Sequence, residues 1–175
     1  MRSVILTVAL SLSAPASAVV VGADSHGFEL RQTIDVPLAP AQALAAFGQV
    51  GSWWSKDHTY SGDAARLSLE LRPGGCWCER LDGGGGVEHM RVAIYQPGER
   101  IVLTGGLGPL LFEATSGVMS VRALGTKTGS QLVINYRAAG FARANGTELA
   151  LGVDSVLREQ IERLRAYASS KASKR

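Results

Sequence analysis

The sequence offers little that announces an activity. Among its 175 residues are two cysteines and three histidines, and only 6% are Phe, Trp or Tyr. There is no second cysteine pair and no His-x3–5-His spacing, so a closed four-ligand zinc site has too few ligands. The glycine-rich run at residues 105–110 lacks the GK[ST] of a phosphate loop and the GxGxxG spacing of a dinucleotide fold. Neither a G-x-S-x-G nucleophile elbow nor an H-E-x-x-H pair occurs. The formal charge is only +3, and no stripe of Lys and Arg marks a nucleic-acid surface. No internal repeat or second domain is visible. Hydrophobic residues make up 46% of the chain, enough for one packed core.

The first residues, MRSVILTVALSLSAPASAVV, read as a secretory leader. Arg2 supplies the positive end, residues 4–12 a short apolar core, and Ala16-Ser17-Ala18 a small-x-small cleavage pattern. That core is too short to cross a bilayer as a helix. Cleavage is expected after Ala18, giving a periplasmic or secreted protein with no integral membrane segment. Position 19 is valine, so a lipoprotein anchor is not indicated. Residues 19–27 are expected to be a flexible lead-in, 28–168 the folded domain, and 169–175, with Lys171, Lys174 and Arg175, a basic disordered tail.

Within the domain, periodicity changes along the chain. Phe28, Leu30, Ile34 and Val36 alternate with Glu29, Arg31, Thr33 and Asp35, the period of a half-buried strand. Pro40 suits the first turn of a short helix over residues 41–47, and Trp53-Trp54 open a second short turn or helix. Six strands follow: 67–71, 76–81, 88–95, 101–104, 112–123 and 131–136. A glycine run, residues 83–86, makes one hairpin loop. Leu149, Val153, Val156, Leu157, Ile161 and Leu164 then form the stripe of a long amphipathic helix, with Thr147 a candidate cap. This is an α+β chain: an antiparallel sheet of about six to seven strands whose apolar face the final helix can cover.

The segments IDVPLAPAQALAAF, WW, LELRPGGCWCE, YQPGERIVLT and DSVLREQIERLRAY, in that order, resemble the START/polyketide-cyclase/Bet v 1-like (SRPBCC) superfamily. The branch most similar is the C-terminal domain of the activator of Hsp90 ATPase. The resemblance covers roughly residues 28–167 and implies a helix-grip fold. In that fold a curved sheet wraps a long C-terminal helix, two short helices follow the first strand, and a small-molecule cavity lies between sheet and helix. An exported chain would not meet a cytosolic chaperone, so the resemblance is to a fold and not to a co-chaperone's role.

Strand parity sorts the residues that could carry chemistry. In Cys76-Trp77-Cys78-Glu79-Arg80-Leu81, the two cysteines and Arg80 share one face, and Trp77, Glu79 and Leu81 the other. Residues two apart in a regular strand are about 6.5–7 Å apart, whereas a disulfide wants Cβ atoms about 3.8 Å apart. The favoured reading of Cys76 and Cys78 is therefore two packing thiols, with a disulfide requiring a local bulge. Glu79 facing the interior needs a partner. His89 and Arg91 on the return strand are candidates, as an acid/base pair or as a plain cross-strand ion pair. A loop centred on Gly84 sets Glu79 opposite His89; a loop over residues 83–86 sets it opposite Met90. Trp54 and His58 are expected at the cavity mouth, and Leu103, Leu110 and Tyr136 complete the expected lining.

Three functions follow from this reading. The first is an exported binder of a small hydrophobic or amphipathic molecule, without metal or cofactor. The second is a cyclase-, dehydratase- or hydrolase-like enzyme using Glu79 with His58 and His89 or Arg91. The third is an envelope interaction protein that binds no ligand. The ligand's identity and the oligomeric state are not legible.

Overall fold

The computed structural model describes residues 17–141 and 145–173. Residues 1–16, most of the expected leader, lie outside them. The elements run β1 (Ser17–Ala23), β2 (Gly27–Val36), α1 (Pro40–Gly48), α2 (Val50–Trp53), β3 (Leu67–Leu69), β4 (Cys76–Arg80), β5 (Gly86–Gln96), β6 (Arg100–Gly105), β7 (Ala114–Thr126), β8 (Gly129–Phe141) and α3 (Gly146–Ala172). The strands form one antiparallel sheet in the order β1-β2-β8-β7-β6-β5-β4-β3. With α3 packed on β2 and the short helices following that strand, this is a helix-grip architecture.

Alternation in the sequence becomes sidedness in the sheet. Phe28, Leu30, Ile34 and Val36 of β2 are buried, as are Ile101, Leu103, Met119, Val121, Leu132 and Ile134 of the neighbouring strands. Leu157, Ile161, Leu164 and Ala168 of α3 complete the core from the other side. Polar contacts fix the helix in place. Gln32 Nε2 donates to Asp154 Oδ1 at 3.2 Å, and the Ser55 N–H donates to Gln160 Oε1 at 2.7 Å. Arg163 Nε donates to the Trp53 carbonyl at 2.9 Å. These bonds join α3 to β2, to the end of α2 and to the segment that follows it.

Three boundaries differ from expectation. Residues 19–23 are not a flexible lead-in but belong to β1, where Val19 lies opposite Arg31 and Val20 opposite Leu30. The run of three valines suits a pleated strand, and β2 would otherwise present an unpaired edge. The expected cleavage point after Ala18 falls inside this strand. At the other end α3 continues through Ala172, so most of the expected tail is helical. Its cap is Asn145, whose side chain accepts from the Glu148 N–H, and not Thr147.

Candidate functional site

The stripe on α3 splits into two rows. Ala150, Asp154, Leu157, Ile161, Leu164 and Ala168 are buried against the fold. One row over, Leu149, Gly152, Val153 and Val156 face a cavity of about 520 Å³ between helix and sheet. Gly152 borders that space, and a Cβ built on it would meet nothing within 4 Å. The opposing wall is Trp54, Leu67, Trp77 and His89, and residues 107–110 close one side. Asp57, His58, Thr59, Tyr60 and Glu148 supply the polar part of the lining. Most of the wall is aliphatic or aromatic carbon, the composition of a small-molecule site.

The tryptophan pair divides its work. Trp53 is a structural plug whose Nε1 donates to the carbonyls of Ala46 and Phe47, both at 3.1 Å. Trp54 reaches the cavity wall, with its Nε1 held by the His58 carbonyl at 2.9 Å. Its ring stands edge-on to Trp77, with centroids 5.2 Å apart. Two rigid aromatic surfaces therefore line one flank of the cavity.

The polar centre of the wall depends on a β-bulge. From the hairpin end, Arg80 pairs with Gly86, Glu79 with Val87 and Cys78 with Glu88; the register then jumps to Trp77 opposite Met90. His89 is the extra residue on β5. The kink turns both His89 and Met90 inward, although neighbours in a regular strand face opposite ways. Glu79 therefore stands opposite neither His89 nor Met90. The two side chains nevertheless meet, with Glu79 Oε2 3.0 Å from His89 Nε2. On the adjacent strand Gly105 leaves room for the bulge, since a Cβ there would sit 2.9 Å from the His89 carbonyl oxygen.

Glu79 is 1% and His89 4% exposed. Burial disfavours the charge on Glu79, but hydrogen bonds from Ser61, Tyr60 and His89 outweigh it and hold the carboxyl below its usual 4.5. The Ser61 N–H reaches Glu79 Oε1 at 2.5 Å. Burial pushes His89 below its usual 6.5, against the upward pull of Glu79. The pair is thus a carboxylate beside a neutral imidazole at neutral pH. A carboxylate only accepts, so Nε2 carries the ring proton. Nδ1 is left as an acceptor, buried and without a hydrogen-bond partner among the described residues. Tyr60 lies over the imidazole, centroids 5.8 Å apart and planes 18° from parallel. Burial and the Glu79 charge both raise the Tyr60 hydroxyl, which stays protonated.

The residues expected from sequence fall in three places. Trp54, His58, Trp77, His89 and Leu110 line the cavity, and Glu79 lies behind His89. His58 is at the mouth, with Nε2 3.2 Å from Glu159 Oε2 of α3. Leu103 and Tyr136 are fully buried core outside the lining, and burial pushes Tyr136 up to about 12. Arg91 is on the outer face, tied to the Glu88 carboxylate and to the Gly74 carbonyl at 2.8 Å. The bulge separates it from His89: the extra residue turns His89 inward and leaves Arg91 outward, opposite Cys76.

The cysteines need a correction of their own. Cys76 and Cys78 form a disulfide on the outer face of β4. Their Cα atoms are 5.3 Å apart, closer than a regular strand allows, where the bulge interrupts the ladder. Together with Glu88 they form, among the described residues, a grouping whose donor atoms could reach one metal ion, but joined sulfurs are not thiolate ligands.

The helix's share of the cavity goes beyond the sequence expectation, in which Leu149, Val153 and Val156 belong to a single stripe that covers the sheet. The signal was that the apolar stripe is wider than one packed row needs. Leu67 and Leu107 also line the cavity; the alternation of strand 67–71 gives Leu67 a face without saying what lies across from it.

No protein-family model and no curated protein matches the chain. Solved structures do. An uncharacterized protein from Rhizobium leguminosarum is 15% identical with a TM-score of 0.60, over 89% of this chain and 98% of that one. The Mll3558 protein from Rhizobium loti is 20% identical with a TM-score of 0.56, over 88% and 99%. CalU16 from Micromonospora echinospora is 12% identical with a TM-score of 0.54, over 92% and 90%. At these identities the likeness is one of fold, and that fold is the helix grip.

Proposed function

We propose that this chain is an exported binder of a small hydrophobic or amphipathic molecule, held between the sheet and α3. The observation that carries the reading is the cavity of about 520 Å³, walled by Trp54, Trp77, Leu107, Leu110, Val153 and Val156. Its size and apolar lining are those of sites that enclose a small ligand. The leader-like N-terminus supports export, and the sequence motifs support kinship with the Hsp90-activator branch in fold alone. The test is titration with N-phenyl-1-naphthylamine, an apolar dye that brightens on leaving water. Saturable brightening with quenching of tryptophan emission is expected. No saturation at any attainable dye concentration would remove the reading.

The buried Glu79–His89 pair favours a second reading, an acid/base enzyme. A carboxylate that fixes an imidazole's tautomer is a working arrangement for a general base. Arg91 has no part in it, being on the outer face, and His58 is a mouth residue. Under this reading Glu79→Gln abolishes turnover of a substrate while dye binding persists; turnover that survives the substitution rejects it.

A further inference from the structure

We propose that Cys76, Cys78 and Glu88 form a redox-gated site for a soft divalent cation of the zinc and cadmium class. The site is on the outer face of the sheet and does not depend on what the cavity binds. Trp77, between the two cysteines, lines the cavity on the opposite face. Three observations carry the site. The two Sγ atoms and a Glu88 carboxylate oxygen all lie within 4.8 Å of one another. In the ladder Glu88 pairs with Cys78 and Arg91 with Cys76, so both stand beside the sulfurs. Residues three apart face opposite ways in a regular strand; the bulge at His89 turns Glu88 and Arg91 outward together. Arg91 also clamps the carboxylate, through Nε at 3.1 Å and through Nη2, and is itself fixed by the Gly74 carbonyl at 2.8 Å. A carboxylate has about four acceptor directions, so Glu88 can ligate a cation without releasing Arg91.

The disulfide is the closed state of this site. A dithiol reductant opens it by thiol–disulfide exchange: the Cys76–Cys78 bond breaks, the reductant leaves as its own disulfide, and its two protons pass to the cysteines as thiols. A cation then displaces both thiol protons and is held by two thiolates and one carboxylate. Their three negative charges are balanced by the divalent cation and by Arg91. With Cα atoms 5.3 Å apart, both sulfurs can reach one ion at a metal–sulfur distance of about 2.3 Å. Three protein ligands leave the fourth tetrahedral position to water, which suits a site whose glutamate is exposed. Thiolates select zinc or cadmium over magnesium and calcium, which take oxygen ligands.

The probe is Cd2+, added to the full chain as it is and after reduction with dithiothreitol that is then removed under nitrogen. Thiolate-to-cadmium charge transfer in the ultraviolet reads binding, and circular dichroism reads the fold. The oxidised chain should give no band. The reduced chain should give a band that saturates at one ion per chain, is reversed by Zn2+ and is indifferent to Mg2+. Cys78→Ser should abolish it. Glu88→Gln should weaken binding about 10–100-fold with the fold unchanged, which separates a three-ligand site from any free dithiol. Glu88→Ala gives the same reading if glutamine disturbs the hairpin. Undiminished affinity in the Glu88 variants overturns the site, as does a reduced wild-type chain with no saturable band. Reduction that unfolds the chain overturns it too, since β4 and β5 then no longer hold the ligands together.

Discussion

His89 Nε2 lies 3.0 Å from Glu79 Oε2, although the two residues are not opposite each other in the sheet. Glu79 faces Val87 in the ladder, and His89 faces nothing because it is the extra residue of a bulge. A regular strand would have turned either His89 or Met90 outward. The bulge gives the wall both, an apolar thioether for the core and an imidazole for the cavity. The carboxylate then holds the imidazole from behind while backbone donors at Tyr60 and Ser61 hold the carboxylate. The site's polarity is thus assembled from β4, β5 and the loop before β3.

Removing the carboxylate should cost more than neutralising it. Glu79→Ala leaves the Ser61 N–H and the His89 ring without their acceptor in a buried place. A loss of about 2–4 kcal/mol is expected, against about 1–2 for Glu79→Gln, which still accepts from Ser61. Urea unfolding of the three proteins checks the order. Equal losses for Ala and Gln would mean that the Ser61 bond contributes nothing.

Acid should weaken the fold in two stages. Both His89 and Glu79 have pKa values depressed in the folded protein, from ordinary values of 6.5 and 4.5. The unfolded chain therefore binds protons that the folded chain refuses. Each contribution is complete above the unfolded value and is lost as pH falls toward the folded one. The urea midpoint should hold steady above pH 7, decline below about 6.5, and decline more steeply below about 4.5. His89→Gln should delete the first stage and keep the second. A first stage that persists in this variant would assign it to another group.

Much of the fold could be read from the pattern of side chains, and the site only in part. Phe28, Leu30, Ile34 and Val36 state their strand openly because one face meets the core and the other meets water. The same rule put Trp77 and Glu79 together on the inner face of β4, where the structure has them. It failed at His89 because a bulge costs one residue and leaves no turn-forming signature in Glu88-His89-Met90. That miss bears on the cysteines as well, since the register jump across from His89 lies between Trp77 and Cys78, where the Cα atoms of Cys76 and Cys78 draw together. β1 was hidden for a different reason: its valines continue an apolar run that reads as leader. Leu149 and Val156 could not be told from core residues, because periodicity gives a helix face but not what lies across from it.

The Cys76–Cys78 disulfide should be reducible in the folded protein, as both residues are only partly buried and lie on the outer face. It closes a very short loop, so the entropy it removes from the unfolded chain is small. A loss of about 1–2 kcal/mol on reduction is expected. Thiol titration of native protein should find no free thiol before treatment with dithiothreitol and two after it, with the far-ultraviolet circular dichroism unchanged. Unfolding on reduction would show that the bond holds β4 in the sheet.

Gly152 separates the cavity's role from the stability of the fold. It sits within α3, where glycine is the poorest ordinary residue for a helix, and its missing side chain borders open space. Gly152→Ala should stabilise the protein by about 0.5–1 kcal/mol through the helix backbone alone. Gly152→Trp adds a large ring at a position on the cavity lining. It should abolish dye binding while keeping the unfolding midpoint near that of wild type, since nothing in the core is displaced. The two variants together make a control: a stability gain from alanine with binding retained, then binding lost to tryptophan with the fold retained. If the tryptophan variant still binds N-phenyl-1-naphthylamine as the wild type does, the dye site is elsewhere and the cavity under α3 is not what binds.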